Sequence, residues 1–117
     1  MAEYQTYWNR KAETLSEKDY RLVQEKAFLN ELNYVWKNSS FYQQKFSATG
    51  LEQNDINGLD DLHKLPFTEK SELRDSQINH PPLGKHAIVP LEKVSRVYST
   101  SGTTGRPTYI GLTQHDI

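Results

Sequence analysis

Apolar residues recur at helical spacing through the first half of the chain and alternate only after residue 90. Between residues 17 and 37, Leu22, Leu29, Leu32 and Trp36 fall near one helical face, and Tyr20, Val23, Ala27 and Tyr34 form a neighbouring stripe. Ser16-Glu17-Lys18-Asp19 stands in front of them as a cap followed by acidic first-turn residues. The pattern predicts a helix over 17–37 with a broad apolar side. Such a side packs against neighbouring helices or the body of a larger domain, or else contacts a partner. Ser40-Phe41-Tyr42-Gln43 predicts a second cap and Gly50 a stop, with Phe41, Tyr42 and Phe46 as core aromatics on the short helix between. Leu59, Leu62 and Leu65 predict another short helix, closed by Pro66, and Thr68 is placed to cap a fourth through Leu73 and Arg74. Pro81-Pro82 make 79–84 a loop.

After Pro90, Val94, Arg96 and Tyr98 alternate with Ser95, Val97 and Ser99, which predicts a strand, and residues 108–112 predict a second. Ser99-Thr100-Ser101-Gly102-Thr103-Thr104-Gly105-Arg106-Pro107 links them as a hairpin turn. Five hydroxyl residues around two glycines are poor core material, because too many polar groups would need partners. They suit an anion instead. Gly102 and Gly105 let the backbone bend and approach a ligand closely. Their N–H groups, with the hydroxyls, can converge as a nest. Arg106 adds a permanent charge matched to phosphate, and Pro107 stiffens the exit. The spacing is not that of a P-loop, which needs four residues between its glycines and then Gly-Lys-Ser/Thr. No Gly-x-Gly-x-x-Gly is present either. A plain Ser/Thr/Gly connection between two strands is the competing reading of composition alone.

Composition narrows the classes. The 117 residues suffice for one small domain. Counting the six glycines and leaving out the seven tyrosines brings the 35% hydrophobic share to about 34%, below the 45–50% of complete globular domains. Marginal stability is therefore expected. Fourteen basic residues against fifteen acidic ones give a net charge of −1, with no basic stripe for nucleic acid. No apolar run approaches the ~20 residues of a membrane span, and residues 1–15 lack a signal-peptide core. Without cysteine there is no disulfide or thiol nucleophile. The Asn38-Ser39-Ser40 sequon reads as coincidence, and a cytoplasmic location is the default. His63, His80, His86 and His115 show no zinc-ligand spacing, although His80 and His86 lie where they could approach a ligand. The pair Asp60-Asp61 reads as solvated acids at a helix start. No Gly-x-Ser-x-Gly elbow is present, so Ser101 reads as a phosphate ligand and not a nucleophile.

The run from Ser99 to Thr108 resembles the phosphate-binding loop of the adenylate-forming superfamily, which includes acyl-CoA synthetases. Upstream, Trp8-Asn9, Ser39-Ser40-Phe41-Tyr42, Phe46, Gly50, Leu62, Leu65-Pro66-Phe67-Thr68-Glu69-Lys70 and Leu73-Arg74 follow in the order seen in phenylacetate–CoA ligases and their relatives. The similarity runs from about Tyr7 to Asp116. Arg106 departs from the commoner lysine, and Ser40 stands where many relatives carry proline, a swap that a helix cap tolerates.

The resemblance implies an α/β fold: a helical N-terminal segment (1–90) leading into the first strands of the large AMP-binding domain (91–117). The rest of that domain and a small mobile C-terminal domain are expected beyond Ile117, where Thr113-Gln114-His115-Asp116 announces a further helix. It also implies a two-step ligase. A carboxylic acid, such as an aryl acetate, attacks the α-phosphorus of ATP, and coenzyme A then displaces AMP. Thr100, Ser101, Gly102, Thr103, Thr104, Gly105 and Arg106 would hold the β- and γ-phosphates, with Mg²⁺ sharing the charge. The adenine pocket, the acid pocket, the magnesium-binding acid and the C-terminal lysine of relatives lie downstream. The 117 residues alone are therefore expected to be inactive, and a homodimer of the full-length form is left open. So are two other readings: a non-catalytic ATP-binding or assembly module, and a ligase of the same superfamily with another acid.

Overall fold

A computed structural model describes residues 6–103 and 105–117. The chain runs through helices α1 (Arg10–Glu13), α2 (Glu17–Asn38), α3 (Ser40–Ala48) and α4 (Lys70–Asn79), then a hairpin of strands β1 (Val94–Ser99) and β2 (Tyr109–Thr113). Short 3₁₀ turns at Gln53–Asp55, Leu59–Lys64 and Leu91–Lys93 link them.

Each helix start has an identifiable donor–acceptor solution. Ser16 Oγ accepts the Asp19 N–H at 3.1 Å and donates to Asp19 Oδ2 at 2.7 Å, so α2 begins where expected. Ser39 does two jobs at one point. Its N–H closes α2 on the Val35 carbonyl, and its Oγ accepts the Tyr42 N–H at 3.2 Å to open α3. The cap is thus Ser39 and not Ser40. Ser40 holds the first helical position, where the N–H has no intrahelical partner and a proline would fit equally well. α3 ends as Gly50 predicts. At φ 69° it lets the Leu51 N–H reach the Phe46 carbonyl (3.0 Å) and the Gly50 N–H reach that of Ser47 (3.0 Å), a Schellman closure. α4 starts one residue later than Thr68 suggests. Glu69 and Glu72 form a reciprocal capping box there, and a Lys45–Glu72 ion pair ties α3 to α4. The expected helix over 59–65 is a 3₁₀ turn, its Leu65 N–H bonded to Leu62 O at 3.1 Å.

The core is small. Leu32, Phe46 and Ile56 are buried, with Phe28, Val35, Trp36, Tyr42, Leu51 and Leu65 packed around them. Trp36 stacks on Phe46 with ring centroids 4.6 Å apart. Only the C-terminal half of the α2 face is used. Tyr20, Leu22 and Val23 remain exposed, and that half is touched instead by Arg21–Asp60 (2.7 Å) and by Glu25 beneath the Leu59 N–H. Trp8 and Phe67 are 93% and 95% exposed. The radius of gyration is 17.7 Å, against about 13 Å for a compact chain of this length.

The sheet is one antiparallel pair, Arg96↔Leu112, Val97↔Gly111, Tyr98↔Ile110 and Ser99↔Tyr109, with an irregularity between Val94 and Arg96. β2 sits one residue later than its apolar run suggests. Leu83 is buried beneath the sheet, where a methyl added to Gly111 would come within 2.9 Å of its Cδ1. The Thr113–Asp116 signature forms as a turn: Asp116 Oδ2 accepts the Thr113 N–H at 2.7 Å and hydroxyl at 2.8 Å.

So thin a core leaves little margin. Phe46→Ala removes the ring on which Trp36 stacks and is expected to cost about 3–5 kcal/mol, a large part of the roughly 5–15 kcal/mol that holds a small domain folded and more than a marginal one can spare. Circular dichroism checks both points. The wild type should melt early and broadly, and Phe46→Ala should lose most helical signal at room temperature. A sharp, high-temperature melt would contradict the expectation.

Candidate phosphate-binding site

β1 and β2 continue pairing past their ends. The Thr100 N–H donates to the Thr108 carbonyl at 3.0 Å, and the Thr108 N–H donates to Thr100 Oγ1 at 3.0 Å. This neck isolates residues 101–107 as a turn. Inside it the Gly105 N–H meets Gly102 O at 2.9 Å. Gly102 has φ 66°, and a Cβ there would lie 3.0 Å from Gly105 O and 3.1 Å from Pro107 N. Glycine is therefore required twice over, by the left-handed conformation and by the closeness of the returning chain.

The turn faces outward. Ser101, Thr103, Gly105 and Arg106 are exposed. The amides of Ser101, Gly102, Thr103 and Arg106, and the hydroxyls of Ser101 and Thr103, make no hydrogen bond to the described residues. Arg106 has no ion pair among them. Thr100 and Gly105 are exceptions within the expected set: the Gly105 N–H is taken by Gly102 O, and Thr100 Oγ1 already braces the neck, leaving one hydroxyl proton to donate. Thr104 lies outside the described residues. From Val94 to Thr113 the hairpin carries two arginines and no acid, although the whole chain is net negative. Donors, positive charge and the lack of an acid in the hairpin are the features an anion site requires.

Support comes from α4. Gln77 reaches the turn's exit, its Nε2 donating to Pro107 O (3.3 Å) and its Oε1 accepting the Tyr109 N–H (2.9 Å). Nothing in helix periodicity marks Gln77, a polar side chain whose partners lie 30 and 32 residues on. Between them Thr108 is 1% exposed, its Oγ1 without a partner. Beside Arg106 opens a recess of about 460 Å³ lined also by Gln77, Ile78, Pro82 and Tyr109.

The histidines divide. His86 does not line that recess. It packs edge-on to Phe41 at 5.9 Å and borders a different one with Phe28, Leu32 and Tyr42. Its Nδ1 is buried without a partner, and burial pushes its pKa below the ordinary 6.5. His80 ends α4, its N–H on Ser76 O. Asp60 pairs with Arg21. Asp61 accepts from Lys64 at 2.7 Å and from the Asn57 N–H at 2.9 Å, and these bonds hold its carboxyl below the usual range. No three Asp, Glu, His or Cys side chains among the described residues come together to hold a metal. No described helix is long and apolar enough to cross a membrane.

Comparison with known proteins decides the family. No protein-family model matches the chain. Over 105 residues it is 40% identical to the phenylacetate-coenzyme A ligase of Thermus thermophilus and 39% identical to that of Escherichia coli, covering 90% of this chain in each case. The fold superposes on 2-hydroxyisobutyryl-CoA ligase in an open conformation with 2-HIB-AMP and CoA, at a TM-score of 0.85 and 29% identity over 97% of this chain. The same ligase in its thioesterification state gives 0.77 at 35% identity over 94%. The chain belongs to the phenylacetate–CoA ligase-like branch of the adenylate-forming enzymes. It spans 22–23% of the length of those two curated relatives and 23–26% of the two solved ligase chains. The helices and two-stranded hairpin are thus part of the α/β fold of an acid–CoA ligase family.

The half-buried His86 gives a pH prediction. The fold keeps His86 neutral to a lower pH than the unfolded chain does, where it protonates near 6.5. The contribution is therefore full above about 6.5 and is lost as pH falls below that, toward the lowered folded value. Urea midpoints taken from about pH 8 to about pH 5 should drop in the wild type, and His86→Leu should flatten that drop.

Proposed function

We propose that this chain is the N-terminal, phosphate-gripping portion of an AMP-forming acid–CoA ligase whose acid is an aryl acetate of the phenylacetate type. In this reading residues 1–90 are the helical lead-in and 91–117 the start of the AMP-binding domain. The observation that carries the reading is the outward turn of free amides, hydroxyls and Arg106 above the Thr100–Thr108 neck. The curated relatives' names support the acid, and the 2-HIB-AMP and CoA complexes of the solved ligase support the adenylate and thioester stages.

The chemistry asks for charge held in place. A substrate carboxylate oxygen attacks the α-phosphorus of ATP, the bond to the β-phosphate bridging oxygen breaks, and pyrophosphate leaves with that electron pair. The CoA thiolate then attacks the acyl carbon and AMP departs. In the first step the Ser101, Gly102 and Thr103 amides, with Ser101, Thr103 and Thr104, donate to β- and γ-phosphate oxygens, Gly105 lets the backbone close around them, and Arg106 neutralises the outer charge. Thr100 adds its remaining proton at the turn's base. Mg²⁺, when bound, offsets phosphate charge. Among the described residues no three Asp, Glu, His or Cys side chains come together around it. The likeness to 2-hydroxyisobutyryl-CoA ligase favours a second reading, in which the acid is a small hydroxy acid.

Two measurements test this. Titration of the ¹⁵N-labelled chain with sodium tripolyphosphate should move resonances of residues 99–108, and Arg106→Gln should weaken binding about tenfold or more through loss of charge-assisted bonds. Shifts confined to other residues, or none, would remove the phosphate role. ATP–pyrophosphate exchange with phenylacetate should be absent for the 117 residues alone. Appreciable turnover would overturn the partial-enzyme reading.

A further inference from the structure

Gln77 stands where a neighbouring strand would. In β geometry, the carbonyl of one residue and the N–H two residues later point to the same side. For Pro107 and Tyr109 that side is away from β1, because Thr108 turns its own N–H and C=O toward Thr100. The Gln77 carboxamide meets both groups, donating to Pro107 O at 3.3 Å and accepting from Tyr109 N–H at 2.9 Å. Only one orientation of the amide satisfies both contacts. Residues 107–109 are therefore gripped from two edges, by Thr100 and by Gln77, with Thr108 buried between.

The grip has a firm base. Gln77 follows Ser76, which is buried and accepts the Lys85 N–H at 2.9 Å on Oγ. The other end of α4 is held to α3 by Lys45–Glu72. A side chain on a fixed helix thus determines where the backbone stands directly after Arg106.

We infer that Gln77 is a positioning residue of the phosphate turn: it aims the Ser101–Arg106 donors by holding the exit strand, without touching the phosphate itself. This rests on the phosphate reading above. Substrate contact is left to the turn, and the helix supplies its preorganisation.

The test uses the ¹⁵N-labelled full chain, sodium tripolyphosphate as probe, and neutral variants. Gln77→Met removes both contacts at similar length. Gln77→Asn keeps a polar side chain too short to span them, and decides the matter should the Met variant fail to fold. Each should lower tripolyphosphate affinity about tenfold and speed Tyr109 amide exchange about tenfold, as expected for two lost hydrogen bonds, while Trp36 indole and α2 resonances stay in place. Gln77→Glu keeps the acceptor and should restore Tyr109 protection, which a general loosening of α4 would not do. Wild type that binds, with Gln77→Asn within about twofold of it, overturns the inference alone. Wild type that fails to bind removes the phosphate reading and the inference with it, and unchanged Tyr109 exchange in the variants shows that the grip itself is absent.

Discussion

Ser39 is the joint on which the helical part depends. Its backbone ends α2 and its side chain begins α3, with one residue of extended backbone between them. The sharp reversal lets Phe46 fold back onto Trp36, and it places Tyr42 on the same side. A buried hydroxyl at a chain reversal is stable only when hydrogen-bonded, and the Tyr42 N–H supplies the partner. Without that joint the aromatic cluster has no geometry, and little other apolar surface is buried to replace it.

The hairpin attaches to this helical part through few contacts, and they are specific. Leu83 fills the space beneath Gly111, Ser76 holds the Lys85 amide, and Gln77 holds the exit of the turn. A lone two-stranded hairpin is marginal in water. This one is oriented by polar contacts to α4 more than by apolar burial, since Val97, Tyr98 and Ile110 remain exposed. Those residues, with Leu22, Val23 and Phe67, make a surface far more apolar than so small a core would produce. The chain accounts for only 26% of a ligase chain on which it superposes with a TM-score of 0.85.

The same economy shapes the site. Hydroxyls and amides are expensive to bury unpaired and inexpensive to leave in water. Among the described residues of the turn, Ser101, Thr103, Gly105 and Arg106 stay in water, the glycines are fixed by conformation, and Thr108 at the exit turns inward with its hydroxyl unpaired. Thr100 shows how position changes role. Its residue type suits phosphate, yet in the fold its oxygen first closes the neck on which the turn stands.

Local signals were legible wherever one residue decides the outcome. The Ser16 cap, the Gly50 stop, the break at Pro81-Pro82, the two strands and the Ser/Thr/Gly turn all follow from side chains within a few residues of the backbone they serve. The order of motifs also pointed to the ligase family that the comparisons bear out. Offsets of one residue, at Ser39 for Ser40 and Glu69 for Thr68, arose where adjacent residues could each cap and packing chose between them. What lay beyond local reading was everything set by distant partners. Half of the α2 apolar stripe packs and half does not, because α3 and the Ile56 segment reach only its C-terminal end. His86 turned to Phe41, away from the turn at 101–107, since the chain around Gly84 leads it there. Gln77 acquired its place only when the fold brought α4 within hydrogen-bonding reach of Pro107 and Tyr109. Periodicity, caps and turn chemistry act over a few residues and are written in sequence order; hydrogen bonds across 30 residues exist only once the chain has packed.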